Sequence, residues 1–313
     1  MTNEKKEKKQ ESTSQANIAG SIHKRLNDLF VLQGRALANA NKGIEMSSLH
    51  DVEFKVFSQF GEDGIIQYLQ QRVIQNEHEK TFVEFGVENY LESNTRFLLV
   101  NNNWKGLVMD GDAMNIESIK KQDFYWRHDL TAKKAWIDKE NINDLIASEG
   151  FEGEIGLLSI DVDGNDFWIW QAIEAVNPIM VVVEYNSVFG GKAAVSVPYS
   201  SSFQRNEAHY SNLYYGASIA ALHYLGKEKG YELVGSNSAG NNLFFVRNDR
   251  LGSLRALSPS ESYVESKMRE SRDRGGKLTF KSGVQRRSLI KGLPVVEVKT
   301  GETHPLGHYF SKN

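Results

Sequence analysis

Short apolar runs recur along the middle of the chain, and segments with apolar positions at helical spacing separate them. The runs lie at residues 82–87, 107–109, 124–130, 155–160 and 178–183. The helical segments lie at 92–100, 113–121, 141–149 and 166–175. Short, continuous apolar runs are typical of strands buried on both faces of a parallel sheet. Their alternation with helices predicts an α/β fold.

The pattern changes after the fifth run. A long loop is predicted at 187–212, where Gly190-Gly191, Pro198 and a serine run interrupt any periodicity. Loops of this length are often lids over a site. A helix at 214–229 follows, and strands at 231–234 and 242–246 read as a hairpin. The chain therefore predicts a Rossmann-like doubly wound sheet, mostly parallel with an antiparallel last strand, plus an N-terminal helix and an irregular C-terminal extension.

Domain boundaries follow from changes in composition. Residues 1–17 have almost no apolar residues and are expected to form a disordered tail. Residues 18–50 contain a helix with an apolar stripe that includes Ile22, Leu26 and Leu29. That stripe packs either on its own domain or on a second chain, so a homodimer or higher homo-oligomer is one of two expectations. The main domain is placed at 51–250, and a basic extension at 251–313.

The composition limits the classes of partner. The 313 residues carry a net charge of −3, which gives no argument for binding nucleic acid or a membrane surface. The absence of cysteine excludes disulfides, thiolate metal sites and a cysteine nucleophile. No apolar run approaches the ~20 residues of a membrane span. These features fit a cytoplasmic protein.

Carboxylates accompany four of the predicted strands. Glu84 lies in the first, Asp110 and Asp161 follow two others, and Glu184 ends the fifth. Ligands of open α/β sheets bind beyond the carboxyl ends of the strands, so these acids predict the site.

The first two acids suggest a nucleoside ligand. Gly86 lets the backbone approach a ligand, and Asp110, 24 residues later, is placed to accept hydrogen bonds from a ribose diol. A dinucleotide fingerprint has three glycines where this turn has one. The pattern therefore favours S-adenosylmethionine (SAM), with Glu84 near its ammonium group. The alternative is that Glu84 is a capped or salt-bridged residue at a strand end.

Three further residues are weaker cofactor candidates. Gln59 and Asp63 lie in Ser58-Gln59-Phe60-Gly61-Glu62-Asp63-Gly64, whose glycines are unusual at a helix start and suggest close approach to a ligand. Asp129, at the end of the predicted third strand, is placed to meet an adenine amino group. A capping role explains each acid equally simply.

The chain resembles the FkbM-like branch of class I SAM-dependent methyltransferases over about residues 55–250. The residues that carry the resemblance are Ser58–Gly64 as written above, Phe82-Val83-Glu84-Phe85-Gly86-Val87, Gly106-Leu107-Val108-Met109-Asp110-Gly111, Ser159-Ile160-Asp161-Val162-Asp163-Gly164-Asn165-Asp166 and Val183-Glu184-Tyr185-Asn186. The resemblance implies SAM as methyl donor and an oxygen acceptor on a sugar, polysaccharide precursor or natural product. It matches Glu84 and Gly86 to the first SAM motif and Asp110 to the ribose acid. The second and third glycines of the SAM loop are missing.

Methyl transfer to a hydroxyl requires loss of its proton. Asp161, Asp163, Glu184 and Asn186 offer the oxygen ligands that Mg²⁺ or Mn²⁺ prefers, and such an ion would lower the pKa of the hydroxyl. The alternative assigns Asp163 and Asp166 to a turn that caps the helix at 166–175, and Glu184 to a loop anchor.

Without a metal a general base is needed, and the candidates are His128, His209 and His223. His209 is preferred because it lies in the predicted loop at 187–212, and Asp161 is the other predicted catalytic residue.

Two other classes remain open from the sequence. Asp161-Val162-Asp163 also fits the Asp-x-Asp motif of metal-dependent glycosyltransferases, although Glu84 and Asp110 then have no role. A non-catalytic scaffold with the same fold is the third reading.

Overall fold

The structure is a computed structural model that describes residues 3–310, with side chains from Gly20 onward except His23. Its strands in this part of the chain are β1 (Thr81–Phe85), β2 (Lys105–Asp110), β3 (Leu130–Lys134), β4 (Gly153–Ile160), β5 (Val176–Glu184), β6 (Val195–Ser196), β7 (Tyr231–Ser236), β8 (Asn242–Arg247), β9 (Pro294–Glu297) and β10 (Thr303–Pro305).

The α-helices of the same residues alternate with the strands through most of the chain. They are α1 (Asn3–Asn41), α2 (Glu62–Val73), α3 (Arg96–Asn102), α4 (Ala113–Lys120), α5 (Ile142–Ala147), α6 (Asp166–Ala172), α7 (Arg205–Ala208), α8 (Ile219–Glu228), α9 (Pro259–Ser262) and α10 (Val284–Ile290). No helix between residues 3 and 310 combines the length and apolar character needed to cross a lipid bilayer.

The central sheet has the strand order β3-β2-β1-β4-β5-β8-β7. Strands β1 to β5 pair in parallel, and β8 pairs antiparallel with both β5 and β7. The predicted fold class is therefore confirmed. The central sheet is doubly wound and mostly parallel, and β8, its last strand in chain order, is antiparallel. The predicted hairpin is the β7–β8 pair.

Both faces of the sheet are covered, which explains why its central strands are apolar without alternation. One face packs on α5, α6 and α8, where Trp170 and Leu222 are buried. The other packs on α2, α3 and α4, where Ile65 and Leu98 are buried. Side chains on each strand alternate between these two cores, and the carboxyl ends of β1, β2, β4 and β5 meet at one edge.

The third strand is not where the sequence predicts it. Residues 124–130 were expected to form it, but β3 begins at Leu130, and the aromatic stretch before it forms turns. As an edge strand β3 is only half buried and contains three polar residues, Thr131, Lys133 and Lys134. Its sequence therefore lacks the apolar signal that the inner strands carry.

Helix α1 is longer than predicted. It begins at Asn3 and so includes most of the segment expected to be a tail, while Met1 and Thr2 lie outside the described residues. Val31 and Ala38 pack with Phe54, Phe57 and Phe97 of the main domain. The domain boundaries themselves stay a prediction.

The C-terminal segment shares a core with the long loop after β5. Strands β10, β9 and β6 form a small second sheet, and β6 belongs to that loop. Val188, Val195 and Leu213 of the loop region are buried together with Ile290 and Val295. The loop and the C-terminal segment therefore form one layer beside the carboxyl edge of the main sheet.

Candidate functional site

A cleft of about 700 Å³ lies at the carboxyl edge of the central sheet. Its floor is formed where β1, β2, β4 and β5 end, and Glu84, Asp110, Asp161 and Glu184 all line it. Gln59, Gly86 and Asp163 line it as well. The structure thus brings together at one edge the acids that accompany four strands.

Gly86 is required by the close approach of two strand ends. Its φ is +69°, a conformation that favours glycine. A Cβ atom here would lie 1.7 Å from the carbonyl oxygen of Asp161. The turn after β1 therefore touches the end of β4, and the cleft opens directly above this contact.

Glu84 holds the loop that forms one wall of the cleft. Its carboxylate accepts hydrogen bonds from the Ser93 hydroxyl (2.6 Å), the Asn94 amide N–H (2.9 Å) and the Thr95 amide N–H and hydroxyl. Burial raises the pKa of Glu84, and these hydrogen bonds oppose the rise. Glu84 positions residues 93–95 against β1, the strand in which it lies, so its contacts are those of a buried, hydrogen-bonded acid.

Asp110 is partly exposed at the rim. It accepts hydrogen bonds from the backbone N–H groups of Glu88 and Asp112, both at 2.8 Å, and from the Asn115 side-chain amide at 3.0 Å. A carboxylate has about four acceptor sites, so capacity remains for a ligand hydroxyl. The contact with Glu88 also ties the turn after β1 to the end of β2.

Three carboxylates converge on the other side of the cleft. Oxygens of Asp161, Asp166 and Glu184 all lie within 4.8 Å of one another. Asp166 accepts the N–H groups of Val162 (2.9 Å) and Gly164 (3.0 Å), while burial raises its pKa to about 6. Glu184 is 5% exposed, and its Oε2 is buried with no hydrogen-bond partner in the described part of the chain.

The carboxylates of this cluster carry like charges and repel one another. Burial raises the pKa values of Asp161 and Glu184 well above their usual range. The charges of Asp163 and Asp166 raise the pKa of Asp161 further, and the charge of Asp161 raises that of Glu184. The neighbouring Arg205 lowers both, but only in part. A buried carboxylate without a partner is costly unless a ligand, a proton or a cation satisfies it.

Arg205 was not anticipated from the sequence. It lies in the short α7 and forms ion pairs with Asp163 (3.0 Å) and Glu270 (2.5 Å). Its guanidinium stacks on Tyr215, 3.6 Å from the ring centroid. The arginine joins the long loop, the end of β4 and the C-terminal segment around the mouth of the cleft.

Two of the four predicted metal ligands point away from the cluster. Asp163 has a positive φ of 52° and faces Arg205. The Asn186 amide donates to the carbonyls of Leu213 and Tyr215, both at 2.9 Å, and its oxygen accepts the Val188 N–H. Asn186 therefore anchors the loop, and Asp166 replaces both residues in the group that the structure assembles.

Three other predicted residues lie outside the lining of the cleft. Asp63 is buried and accepts the backbone N–H groups of residues 56–58 at 2.7 to 2.8 Å, so it shapes that loop. His209 bonds to the Ser211 hydroxyl through Nδ1 (2.7 Å), and burial lowers its pKa. Asp129 precedes β3, at the opposite edge of the sheet, because that strand begins later than predicted. Its assignment to adenine is corrected.

Residues 135–137, which follow β3, do line the cleft, and Trp136 is the largest of them. Its ring is 53% exposed, and its indole N–H donates to the carbonyl of Ser201 at 2.7 Å. Phe203 and Met268 also line the cleft, from the long loop and the C-terminal segment. If the sequence had indicated the correct position of β3, Trp136 would have been a candidate. Phe203 and Met268 lie in segments without the apolar periodicity that predicts strands or helices.

No family model matches the chain, and no curated protein matches it. Among solved structures, it is similar to the DszA carbon methyltransferase, with 17% identity, a TM-score of 0.38, and coverage of 62% of this chain and 53% of that one. The chain thus spans about half the length of that protein.

Two further structures are similar over most of their length. The N-terminal domain of EvdMO1 with SAH bound has 11% identity, a TM-score of 0.40, and coverage of 71% of this chain and 97% of that one. The O-methyltransferase from Bacillus cereus in complex with SAH has 11% identity, a TM-score of 0.36, and coverage of 70% and 90%. Similarity at this level does not identify an activity, and the fold assignment rests on the strand order given above.

Proposed function

We propose that this protein is a SAM-dependent methyltransferase of the FkbM-like kind that methylates a hydroxyl of a sugar, polysaccharide precursor or small natural product. The proposal rests on the presence of two separate groups of residues in the cleft. A glycine turn and a rim acid, Gly86 and Asp110, lie over β1 and β2, and an unsatisfied carboxylate cluster lies over β4 and β5. A strand spacing of about 4.8 Å separates the two groups by about 10 Å.

The first group suits the nucleoside part of SAM. Asp110 accepts ribose hydroxyls with its remaining acceptor capacity, and the Gly86 turn lets the backbone approach the ligand. Trp136 offers an aromatic face to the adenine. Gln59 and Asn94 also line the cleft, and we assign them to the methionine end. SAM supplies an electrophilic methyl group, and the cleft orients an acceptor towards it.

The second group suits the acceptor. A carboxylate with a raised pKa is a stronger base when it is ionised, and burial together with the charges of neighbouring carboxylates raises the pKa values of Asp161 and Glu184. Glu184 takes the acceptor proton, with Asp161 beside it to share the hydrogen bond. His209 is not needed in this scheme.

The same cluster suits a divalent cation. Asp161, Asp166 and Glu184 are the hard oxygen ligands that Mg²⁺ or Mn²⁺ takes, and the unpartnered Oε2 of Glu184 favours such a ligand. A bound cation would lower the pKa of the acceptor hydroxyl. The glycosyltransferase alternative is less well supported, because Asp163 is engaged by Arg205.

Titration calorimetry with S-adenosylhomocysteine (SAH) tests the proposal. Wild-type protein should bind SAH saturably, and Asp110→Ala should weaken binding about 10- to 100-fold, the effect of losing one or two hydrogen bonds to a charged group. Asp129→Ala is the matched control, because the same residue type is removed at the opposite edge of the sheet.

Equal affinities for wild type and Asp110→Ala would reject the ribose assignment. If the folded wild-type protein does not bind SAH but binds a UDP-sugar with Mn²⁺, the glycosyltransferase alternative is supported instead. No binding of either ligand would favour the scaffold.

A further inference from the structure

Helix α1 has an apolar face that its own domain does not cover. Residues Val31, Gly34 and Ala38 point towards the main domain, and a Cβ on Gly34 would lie 2.4 Å from the Val56 side chain. On the far side, Ile22, Leu26, Leu29, Phe30 and Leu37 are 38 to 59% exposed. We call these five residues, with the exposed Ala36 and Ala40 between them, the outer stripe.

The outer stripe lies roughly opposite the docked face. At 100° per residue, its members fall within a sector of about 120° on the helix. The other residue in that sector between 20 and 41 is Gln33, so the stripe carries no charge there. The charged residues lie on one flank, where Lys24 pairs with Asp123 at 2.9 Å and Arg35 donates to Asn101.

We propose that the outer stripe pairs with the same stripe of a second copy of this chain, with the two helices antiparallel. Bulky residues fill the N-terminal half of the stripe, from Ile22 to Phe30. The C-terminal half holds Leu37 together with the small residues Ala36 and Ala40. Antiparallel pairing about Leu29 sets Ile22 of each copy against Ala36 of the other. A large side chain then faces a small one at both ends of the overlap, which parallel pairing in register does not achieve.

The geometry leaves room for both domains, because each lies on the side of its helix away from the stripe. Pairing about Leu29 overlaps about 25 residues, or roughly 37 Å of helix. A strip about 10 Å wide over this length buries roughly 750 Å² in total, which is less than the ~1,200 Å² of stable interfaces and suits a weak, transient one. The dimer is therefore expected to be in equilibrium with monomer at micromolar protein concentrations.

A membrane surface is a less suitable occupant. Interfacial helices present a free, Lys/Arg-rich polar face opposite their apolar one. In α1 the side opposite the stripe is docked on its own domain, and Lys24 and Arg35 are already bonded.

Sedimentation analysis over a concentration series tests the pairing. Wild-type protein should shift from monomer to dimer as concentration rises, and Leu26→Glu and Leu29→Glu should weaken the dimer at least 10-fold. Leu278→Glu is the matched control, because Leu278 and Leu26 are both 44% exposed and Leu278 lies in the C-terminal segment. Wild type that remains monomeric throughout would overturn the proposal, as would equal weakening by Leu278→Glu.

Cysteine crosslinking tests the orientation, since the chain has no cysteine of its own. Under mild oxidation, Leu29→Cys should form a disulfide-linked dimer, and so should an equimolar mixture of Ile22→Cys and Ala36→Cys chains. Ile22→Cys alone should crosslink poorly. Efficient crosslinking of Ile22→Cys alone, without the mixed product, would show parallel helices and overturn the antiparallel arrangement.

Discussion

The proposed function uses the carboxylate of Glu184, but ionisation of this buried group lowers the stability of the fold. Its side chain is buried at the end of β5, and its Oε2 has no partner among residues 3–310. Burial and then the charge of Asp161 raise its pKa, so the folded protein holds this proton more tightly than the unfolded chain. Ionisation therefore opposes folding, and stability is lost as pH rises above the ordinary value of 4.5.

Glu184→Gln should consequently stabilise the protein at high pH. We expect a gain of about 1–2 kcal/mol at pH 8 and little change near pH 4.5, because glutamine does not titrate and can donate to Asp161. Urea unfolding at both pH values measures this, with the exposed Glu117→Gln on α4 as control.

The same variant tests the cation. Mn²⁺ should raise the melting temperature of wild type and leave that of Glu184→Gln unchanged. A loss of stability at pH 8 in Glu184→Gln would contradict the assignment of an unpartnered carboxylate. A melting temperature insensitive to Mn²⁺ in wild type would remove the cation from the site.

At the level of elements, the cleft depends on how closely the turn after β1 approaches the end of β4. Gly86→Ala should cost at least 2–3 kcal/mol, because the added methyl group meets the Asp161 carbonyl and the backbone has a positive φ. Gly150→Ala separates these causes. Its φ is +77° but a Cβ there meets nothing within 4 Å, so only the backbone strain of about 1 kcal/mol applies.

Urea unfolding of the two variants gives the comparison directly. If Gly150→Ala costs as much as Gly86→Ala, the contact between the two strand ends contributes nothing, and Gly86 serves only its own turn.

The inner elements could be predicted from the sequence because burial on both faces leaves continuous apolar runs. Strands β1, β2, β4 and β5 and the acids beside them were all located in this way, and Asp161 and Glu184 do meet. β3 was misplaced because an edge strand needs fewer apolar residues. Arg205, Trp136 and Met268 were missed because they reach the cleft from loops, where position depends on tertiary contacts and not on periodicity.

At the scale of the whole molecule, ion pairs between charged side chains connect elements at the edge of the central sheet opposite the cleft. Arg250 bonds to Glu79 (2.7 Å) and Glu154 (3.3 Å), and Arg247 bonds to Glu154. Burial raises the pKa of Glu79, but hydrogen bonds from Gln75, Asn76 and Arg250 outweigh it, and the pKa falls to about 2. This carboxylate joins the entry to β1 to the segment after β8.

Glu79 should therefore contribute to acid stability. A lowered pKa gives stability that is full above about 4.5 and is lost as pH falls towards about 2. Glu79→Gln should cost about 2–3 kcal/mol at pH 7 and flatten the dependence of stability on pH between these values. Glu77→Gln, two residues away and with its side chain 88% exposed, is the control. If the free energy of unfolding depends on pH in the same way in wild type and in Glu79→Gln, the role of Glu79 in acid stability is contradicted.

The layer that the long loop forms with the C-terminal segment has a consequence for the newly made chain. The central sheet is complete at Arg247, yet Met268 and Glu270 still have to reach the cleft, and Ile290 and Val295 have to cover the loop. At about 5–20 residues per second, a ribosome needs several seconds more to deliver them. During that interval the sheet can pair while one wall of its cleft is missing and Val188 and Val195 are uncovered. The order of synthesis therefore lets the sheet of the nascent protein pair before its pocket is complete.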